Sequence, residues 1–121
     1  MSRPTGPTNP EMGKLIEDIR TQGYREKLPF LIDIAEKLET SRRKRHEVNL
    51  TRLQRVCKDK ETAIVPGKVL STGNLKKSLT VAAASFSMAA VEKIQKAGGK
   101  AISISELIKT NPKGRDVRIV I

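Results

Sequence analysis

The sequence predicts an α+β fold in which helices come first and short strands alternate with helices later in the chain. Apolar residues recur at helical spacing over residues 10–22 and 29–38. From residue 62 the chain is instead rich in Val, Ile and Thr, with Pro-Gly and Gly-Asn pairs between the apolar runs, which is typical of short strands. A chain of 121 residues fits one domain with one modest core, and we assign that domain to residues 9–121.

Three helices are expected in the first half of the chain. The first begins at residues 9–10, an Asn-Pro pair that suits an N-cap and a first helical position, and Gly23 is a plausible end. The second runs over residues 29–38 and leads into a basic run. Asn49 can cap a short third helix, whose apolar stripe indicates that the cations on its other faces are mounted on folded structure.

The second half should alternate between strands and helices. Short strands are expected around residues 63–65, 68–71 and 79–84, separated by turns at Pro66-Gly67 and Gly73-Asn74. A fourth helix follows, capped by Ser87 and ended by the Gly98-Gly99 pair.

The last twenty residues predict a buried strand, one helical turn and a closing strand. The buried strand covers residues 101–104, and Ser105 can cap a helical turn that reaches Ile108. A turn over residues 110–116 then leads into the strand at 117–121.

Basic charge is concentrated in the last two-thirds of the chain. The net charge is +11, but residues 1–40 carry six basic and seven acidic residues, whereas residues 41–121 carry eighteen and six. The densest run, Arg42 to Arg45, is followed at once by His46, the only histidine, and nearby acids do not neutralise it. Such an excess destabilises a compact state by self-repulsion, so it indicates a polyanionic partner.

Nucleic acid fits this charge better than a membrane does. No stretch approaches the roughly 20 apolar residues of a membrane span, and the first residues lack the apolar run of a secretory signal. Aromatic residues make up only 2% of the chain, so stacking on bases should be minor and contact should run through phosphates, sugars and shape. Because a single cysteine cannot form an internal disulfide, we expect a reducing, cytoplasmic location.

Catalytic chemistry is poorly supported. One histidine and one cysteine cannot make a zinc site, and neither a phosphate loop nor a dinucleotide-binding glycine motif occurs. The neighbours Arg55 and Lys58 could lower the pKa of Cys57, although most single cysteines are simply buried. We therefore expect no enzyme, no cofactor, no metal and no small-molecule substrate.

Several segments resemble a family of ribosomal proteins. The text "KRHEVNL", followed by "VPGKVL", "TVAAASFS" and "NPKG", resembles large-subunit protein eighteen of archaea and eukaryotes and the carboxy-terminal part of bacterial large-subunit protein fifteen. The resemblance covers residues 8–120, and the short chain is most similar to archaeal members. It implies a non-enzymatic constituent of the large ribosomal subunit, bound to ribosomal RNA beside other ribosomal proteins. It also implies a core of irregular strand-strand-helix superhelical turns.

The candidate RNA contacts follow from charge and from this resemblance. Residues 1–8 are expected to form an extended tail that threads into RNA. Gly67, Gly73 and Gly114 are either turn residues or points where backbone amides approach phosphate. The predicted contacts are Arg3, Arg42, Arg43, Lys44, Arg45, His46, Arg52, Arg55, Lys68, Lys76, Lys77, Lys113, Arg115 and Arg118.

Three other partners stay open from the residues alone. A helix flanked by arginines could enter a major groove, which makes a chromatin-type protein that binds duplex DNA the first alternative. An anionic membrane or heparin-like surface is the second, and an acidic protein is the third.

Overall fold

The computed structural model describes residues 10–44 and 46–121, and over this part of the chain it contains five helices and five strands. The helices are α1 (Pro10–Arg25), α2 (Pro29–Lys44), α3 (Leu50–Val56), α4 (Met88–Lys96) and α5 (Ile104–Thr110). The strands are β1 (Glu47–Asn49), β2 (Thr62–Leu70), β3 (Thr80–Phe86), β4 (Lys100–Ser103) and β5 (Val117–Ile119). The predicted α+β class, with helices first and short strands later, is confirmed.

All five strands are parallel, and β2 lies at the centre of their pairing. One side of β2 pairs with β3, which in turn pairs with β4. The other side is shared, because β1 pairs with the carboxyl half of β2 and β5 with its amino half. Parallel strands are usually buried on both faces, which explains the nearly continuous apolar runs in β2 and β3.

Helices cover both faces of the sheet and give it two apolar cores. Alternate residues of the strands point to opposite faces. Ile64 and Ala82 therefore pack with α1, α2 and α5, whereas Ala63 and Val81 pack with α3 and α4.

The first two helices pack closely at Gly23. A Cβ atom at this position would lie 2.9 Å from Cγ1 of Ile32, so glycine allows α1 and α2 to approach one another. The expected helix end at Gly23 is wrong, since α1 continues to Arg25. Gly23 lies inside the helix, where close packing offsets its low helix propensity.

The Pro66-Gly67 pair does not separate two strands, as the sequence predicted. It lies within β2 as a bulge, since Val65 pairs with Ala83 while Lys68 pairs with Ser85. Three steps along β2 thus match two along β3, and the extra residue removes the need for a ladder hydrogen bond at proline.

The ends of several elements also differ from the sequence prediction. Helix α2 extends to Lys44 instead of ending near Leu38, because the cost of adjacent like charges is only a few tenths of a kcal/mol per pair. Strand β1 was not predicted, since three residues are too few to show an alternating pattern.

Serine caps fix two of the later helices. Ser87 caps α4, as predicted, and its Oγ accepts a hydrogen bond from the amide of Ala90 at 3.1 Å. The cap of α5 is Ser103 rather than Ser105, and its Oγ accepts from the amide of Glu106 at 3.1 Å. The strand before α5 ends earlier than expected, so the whole helix starts two residues earlier.

Candidate nucleic-acid interface

The basic run begins on a helix and not in a loop. Arg43 and Lys44 lie in the last turn of α2 with exposed side chains, and the half-buried His46 follows. Cations are favourable at a helix carboxyl end, where the unpaired carbonyl groups carry partial negative charge. The predicted contacts Arg3 and Arg45 lie outside the described residues.

The bulge of β2 lies against this helix end. The amide of Lys68 donates to the carbonyl oxygen of His46 at 3.1 Å. A Cβ atom on Gly67 would lie 2.6 Å from the same oxygen and 2.9 Å from Oγ of Ser41. The fold therefore brings Lys68 close to the basic end of α2, and we call Arg43, Lys44, His46 and Lys68 the α2-end cluster.

A second basic group lies on α3. Its buried residues Leu50 and Leu53 face the sheet, so Arg52 and Arg55 are exposed on the outer side. The amide of Lys76 donates to Oε1 of Gln54 at 2.9 Å, which places the exposed Lys76 next to this helix. We call Arg52, Arg55 and Lys76 the α3 cluster.

Lys77 has a different environment from its neighbour Lys76. Its Nζ donates to the carbonyl oxygen of Gln54 at 2.7 Å and to that of Cys57. The side chain is half-buried and its ammonium group satisfies carbonyl groups at the carboxyl end of α3.

The third basic group is the loop between α5 and β5. The side chain of Asn111 donates to the carbonyl of Arg115 at 2.8 Å and accepts from its amide at 3.2 Å, which fixes the loop. Lys113 and Arg115 are exposed. Gly114 has φ +69° and contacts the ring of Phe30, at the start of α2.

The loop cations and the α2-end cluster lie far apart. Phe30 is at one end of α2 and Lys44 is at the other, and a 16-residue helix is about 24 Å long. The described contacts thus bring Lys68 to the end of α2 and Lys76 to α3, but they leave Lys113 and Arg115 as a separate group.

Arg118 forms an ion pair with Glu61 near the amino ends of β2 and β5. Its Nε donates to Oε1 at 2.7 Å and its Nη2 to Oε2 at 3.3 Å. These hydrogen bonds, with one from the backbone amide of Lys58, lower the pKa of Glu61 below its ordinary value. The same pair raises the pKa of Arg118.

The buried thiol of Cys57 lies close to this ion pair. Burial raises its pKa, and the negative charge of Glu61 raises it further, while Arg118 and Lys77 act in the opposite direction. The sequence-based expectation that basic neighbours lower this pKa is wrong, because desolvation of the thiolate has the larger effect.

The three predicted glycines all make close contacts within the protein itself. Gly73 has φ +101°, and a side chain there would overlap Oγ1 of Thr51. Gly67 lies against His46 and Gly114 against Phe30, as described above. Internal packing is thus sufficient to explain glycine at each position, and close approach to phosphate stays a prediction.

Two residues that shape the surface were not singled out from the sequence. Gln54 accepts hydrogen bonds from the amides of Lys76 and Lys77, and Lys93 donates from Nζ to the carbonyls of Ser71 and Gly73. In the sequence both are ordinary polar residues on helices. No local pattern reveals their partners, which lie about 20 positions away along the chain.

Two further features of residues 10–44 and 46–121 bear on other functions. They contain no cluster of three or more His, Cys, Asp or Glu residues that could hold a metal ion. None of the helices in this part of the chain has the length and apolar character needed to cross a bilayer.

The exposed cations on three parts of one folded scaffold define the class: a basic α/β protein suited to binding a polyanion through its surface. Residues 31–102 match the sequence model of the family that groups the ribosomal proteins 50S-L15 and 50S-L18e with a counterpart from the 60S subunit. The chain belongs to this ribosomal protein family, and the resemblance predicted from its motifs is confirmed.

Similarity to archaeal relatives extends over nearly the whole chain. It is 43% identical to large ribosomal subunit protein eL18 of Methanopyrus kandleri over 122 residues, covering 97% of this chain and 96% of the relative. Identity to eL18 of Methanospirillum hungatei is 42% over 120 residues, with 99% of each chain covered. For eL18 of Halobacterium salinarum it is 41% over 113 residues, with 93% of this chain and 97% of the relative covered.

Proposed function

We propose that this protein is a structural, non-catalytic constituent of the large ribosomal subunit that binds ribosomal RNA and stabilises its folded form by neutralising phosphates. The observation that carries the proposal is the set of exposed cations without an acidic partner. Among the residues that the structure describes, no ion pair involves Arg52, Arg55 or Lys76. Membership of the ribosomal protein family and the names of the eL18 relatives support the same role.

The three basic groups would contact several RNA segments at once. The α2-end cluster and the α3 cluster come from opposite helical layers, while Lys113 and Arg115 lie at the far end of α2. Arginine can donate two hydrogen bonds to one phosphate, whereas lysine acts more as a point charge. Spread over one rigid scaffold, such contacts hold RNA segments in a fixed arrangement, which is what a structural role requires.

The predicted tail contact at Arg3 and the contacts at Arg42 and Arg45 belong to the same proposal. So do neighbouring ribosomal proteins, for which the less basic layer formed by α1, α2 and α5 is the better surface. Arg118 remains a predicted contact, with the difference that its guanidinium already pairs with Glu61.

The salt dependence of binding tests the proposal. If about eight phosphates are neutralised, a plot of log affinity against log salt concentration should have a slope of about −6 to −7. A slope near zero would exclude phosphate neutralisation. The measurement should use deproteinised large-subunit ribosomal RNA in a filter-binding assay at several KCl concentrations.

Competition with duplex DNA at fixed salt then tests the choice of nucleic acid. We expect ribosomal RNA to displace the protein from DNA. Preference for DNA would instead favour a chromatin-type function. Co-sedimentation with large subunits after a moderate salt wash is expected as well, and recovery only in the free pool would contradict assembly into the ribosome.

A further inference from the structure

The connection between β2 and β3 has no helix of its own. Parallel strands are usually joined by a crossover helix. Here residues 71–79, which we call the crossover segment, make that connection as irregular backbone. Leu79 of the segment is buried with Leu53 and Ile94, so the segment lies on the same face of the sheet as α3 and α4.

Helix α4 holds the first part of the crossover segment. The ammonium group of Lys93 donates to the carbonyl of Ser71 at 2.8 Å and to that of Gly73 at 3.1 Å. Both bonds are partly buried. This lysine therefore satisfies backbone acceptors that a helical crossover would have paired internally.

Helix α3 holds the middle of the segment. Oε1 of Gln54 accepts from the amide of Lys76 at 2.9 Å and from that of Lys77 at 3.3 Å. Lys77 in turn donates to the carbonyl of Gln54, so the two residues are joined in both directions. Thr51 donates from its amide and its hydroxyl to the carbonyl of Thr72, each at 3.1 Å.

The fixed segment presents polar side chains beside those of α3. Asn74 and Lys76 are exposed, as are Arg52 and Arg55. In contrast, the ammonium groups of Lys77 and Lys93 each donate to two carbonyl oxygens of the protein. Two of the four lysines on the segment and α4 thus serve the fold, and the exposed group of four side chains remains for a ligand.

We propose that the crossover segment and α3 form a preformed binding surface for the phosphodiester backbone of RNA. The proposal rests on the function proposed above. It adds that this surface binds without rearrangement, which avoids the ordering cost that a flexible basic loop would incur. Gln54, Lys77 and Lys93 are positioning residues that hold the segment in its bound shape before RNA arrives. The contacts of the surface are Arg52, Arg55, Asn74 and Lys76.

The substitution Gln54→Leu tests positioning without changing charge. It removes the acceptor of two backbone amides, while the net charge and the predicted phosphate contacts stay the same. We expect affinity for deproteinised archaeal large-subunit ribosomal RNA to fall by about three- to tenfold, the effect of about one lost hydrogen bond. Gln95→Leu on α4 is the matched control, since Gln95 is exposed and its side chain is not used by the surface.

Amide hydrogen exchange gives the structural readout. In the free wild-type protein the amides of Lys76 and Lys77 should exchange slowly, and Gln54→Leu should increase their exchange rates. Lys93→Met and Lys96→Met form a second matched pair, because each removes one positive charge from α4. Only Lys93→Met should increase exchange in the segment, and it should weaken RNA binding more than Lys96→Met does.

Three results separate the possible failures. If Gln54→Leu and Lys93→Met bind RNA as tightly as their controls, the positioning role is overturned. If Lys76→Met does not reduce the salt slope by about one, Lys76 is not a phosphate contact and the proposed surface is wrong. If the wild-type protein itself binds without salt dependence, it is the proposed function that fails.

Discussion

The two helical layers differ in charge although both pack on the same sheet. On one face, α1, α5 and α2 up to Ser41 carry seven acidic and five basic residues. On the other, α3, α4 and the crossover segment carry one acidic and six basic residues. Ion pairs neutralise part of the first face, with Arg20 at 2.9 Å from Glu17 and Lys37 at 2.7 Å from Asp33.

This difference separates what folds the protein from what the protein binds. Each face buries a continuous apolar core, so both layers contribute to stability. Charge contributes little to that stability, because exposed ion pairs are worth less than about 1 kcal/mol. The basic surplus on the second face is thus best explained by an external anion. Its absence from the first face leaves that surface suitable for protein contacts.

The largest expected effect concerns what the two layers share. Leu31→Ala on the first face and Leu53→Ala on the second each remove a side chain that is fully buried. Each should lower the free energy of unfolding by about 2–5 kcal/mol, through lost apolar burial and the cavity left behind. Urea denaturation measures both values. A loss well under about 1 kcal/mol for either variant would show that its layer is not part of the cooperative core.

Charge reversal should divide the two faces. Arg52→Glu with Arg55→Glu places like charges opposite phosphate, and RNA affinity should fall on the order of a hundredfold, with a smaller salt slope. Lys14→Glu with Arg25→Glu makes the same change in net charge on α1. That control should lose far less affinity. Equal losses would mean that net charge alone drives binding and that the α3 cluster has no special role.

The ion pair of Glu61 and Arg118 is an exception on the basic side, and it predicts a pH effect. Because folding lowers the pKa of Glu61, its carboxylate stabilises the fold fully at pH values above the ordinary pKa of 4.5. This contribution is lost as the pH falls through the lowered pKa. Glu61→Gln should therefore show a flatter decrease in melting temperature between neutral pH and acid. An unchanged acid profile would contradict the linkage.

The smallest effect is expected for the ion pairs of the first face. Glu17→Gln removes the partner of Arg20 on an exposed helical turn. Stability should fall by only about 0.2–0.5 kcal/mol, and the effect should disappear in high salt. RNA affinity should stay the same within error. A marked rise in affinity would show that the acids of α1 also shape RNA binding.

The sequence predicted those parts of the fold that local chemistry determines. Ser87 and the Gly98-Gly99 pair delimit α4 because capping and left-handed geometry depend on neighbouring residues. The Pro66-Gly67 bulge was missed because the same pair forms turns elsewhere, and only pairing with β3 distinguishes the two outcomes. Gly23 was misinterpreted for a similar reason, since its close neighbour Ile32 belongs to the next helix.

The candidate site shows the same division. The exposure of Arg52 and Arg55 follows from the apolar stripe of α3, so the sequence was sufficient to place them on the surface. The separate environments of Lys76 and Lys77 do not follow from the sequence, because the carbonyls that accept from Lys77 lie 20 and 23 positions away. The ion pair of Arg118 spans 57 positions, which no local pattern indicates.

The sharing of one side of β2 between β1 and β5 has a consequence for synthesis. Residues 62–64 are translated long before residues 117–119, which pair with them. During that interval the amino half of β2 exposes a strand edge of the kind that promotes mispairing between nascent chains. The surrounding positive charge would keep two such chains apart, so the residues that serve the mature protein would also protect it before its last strand is in place.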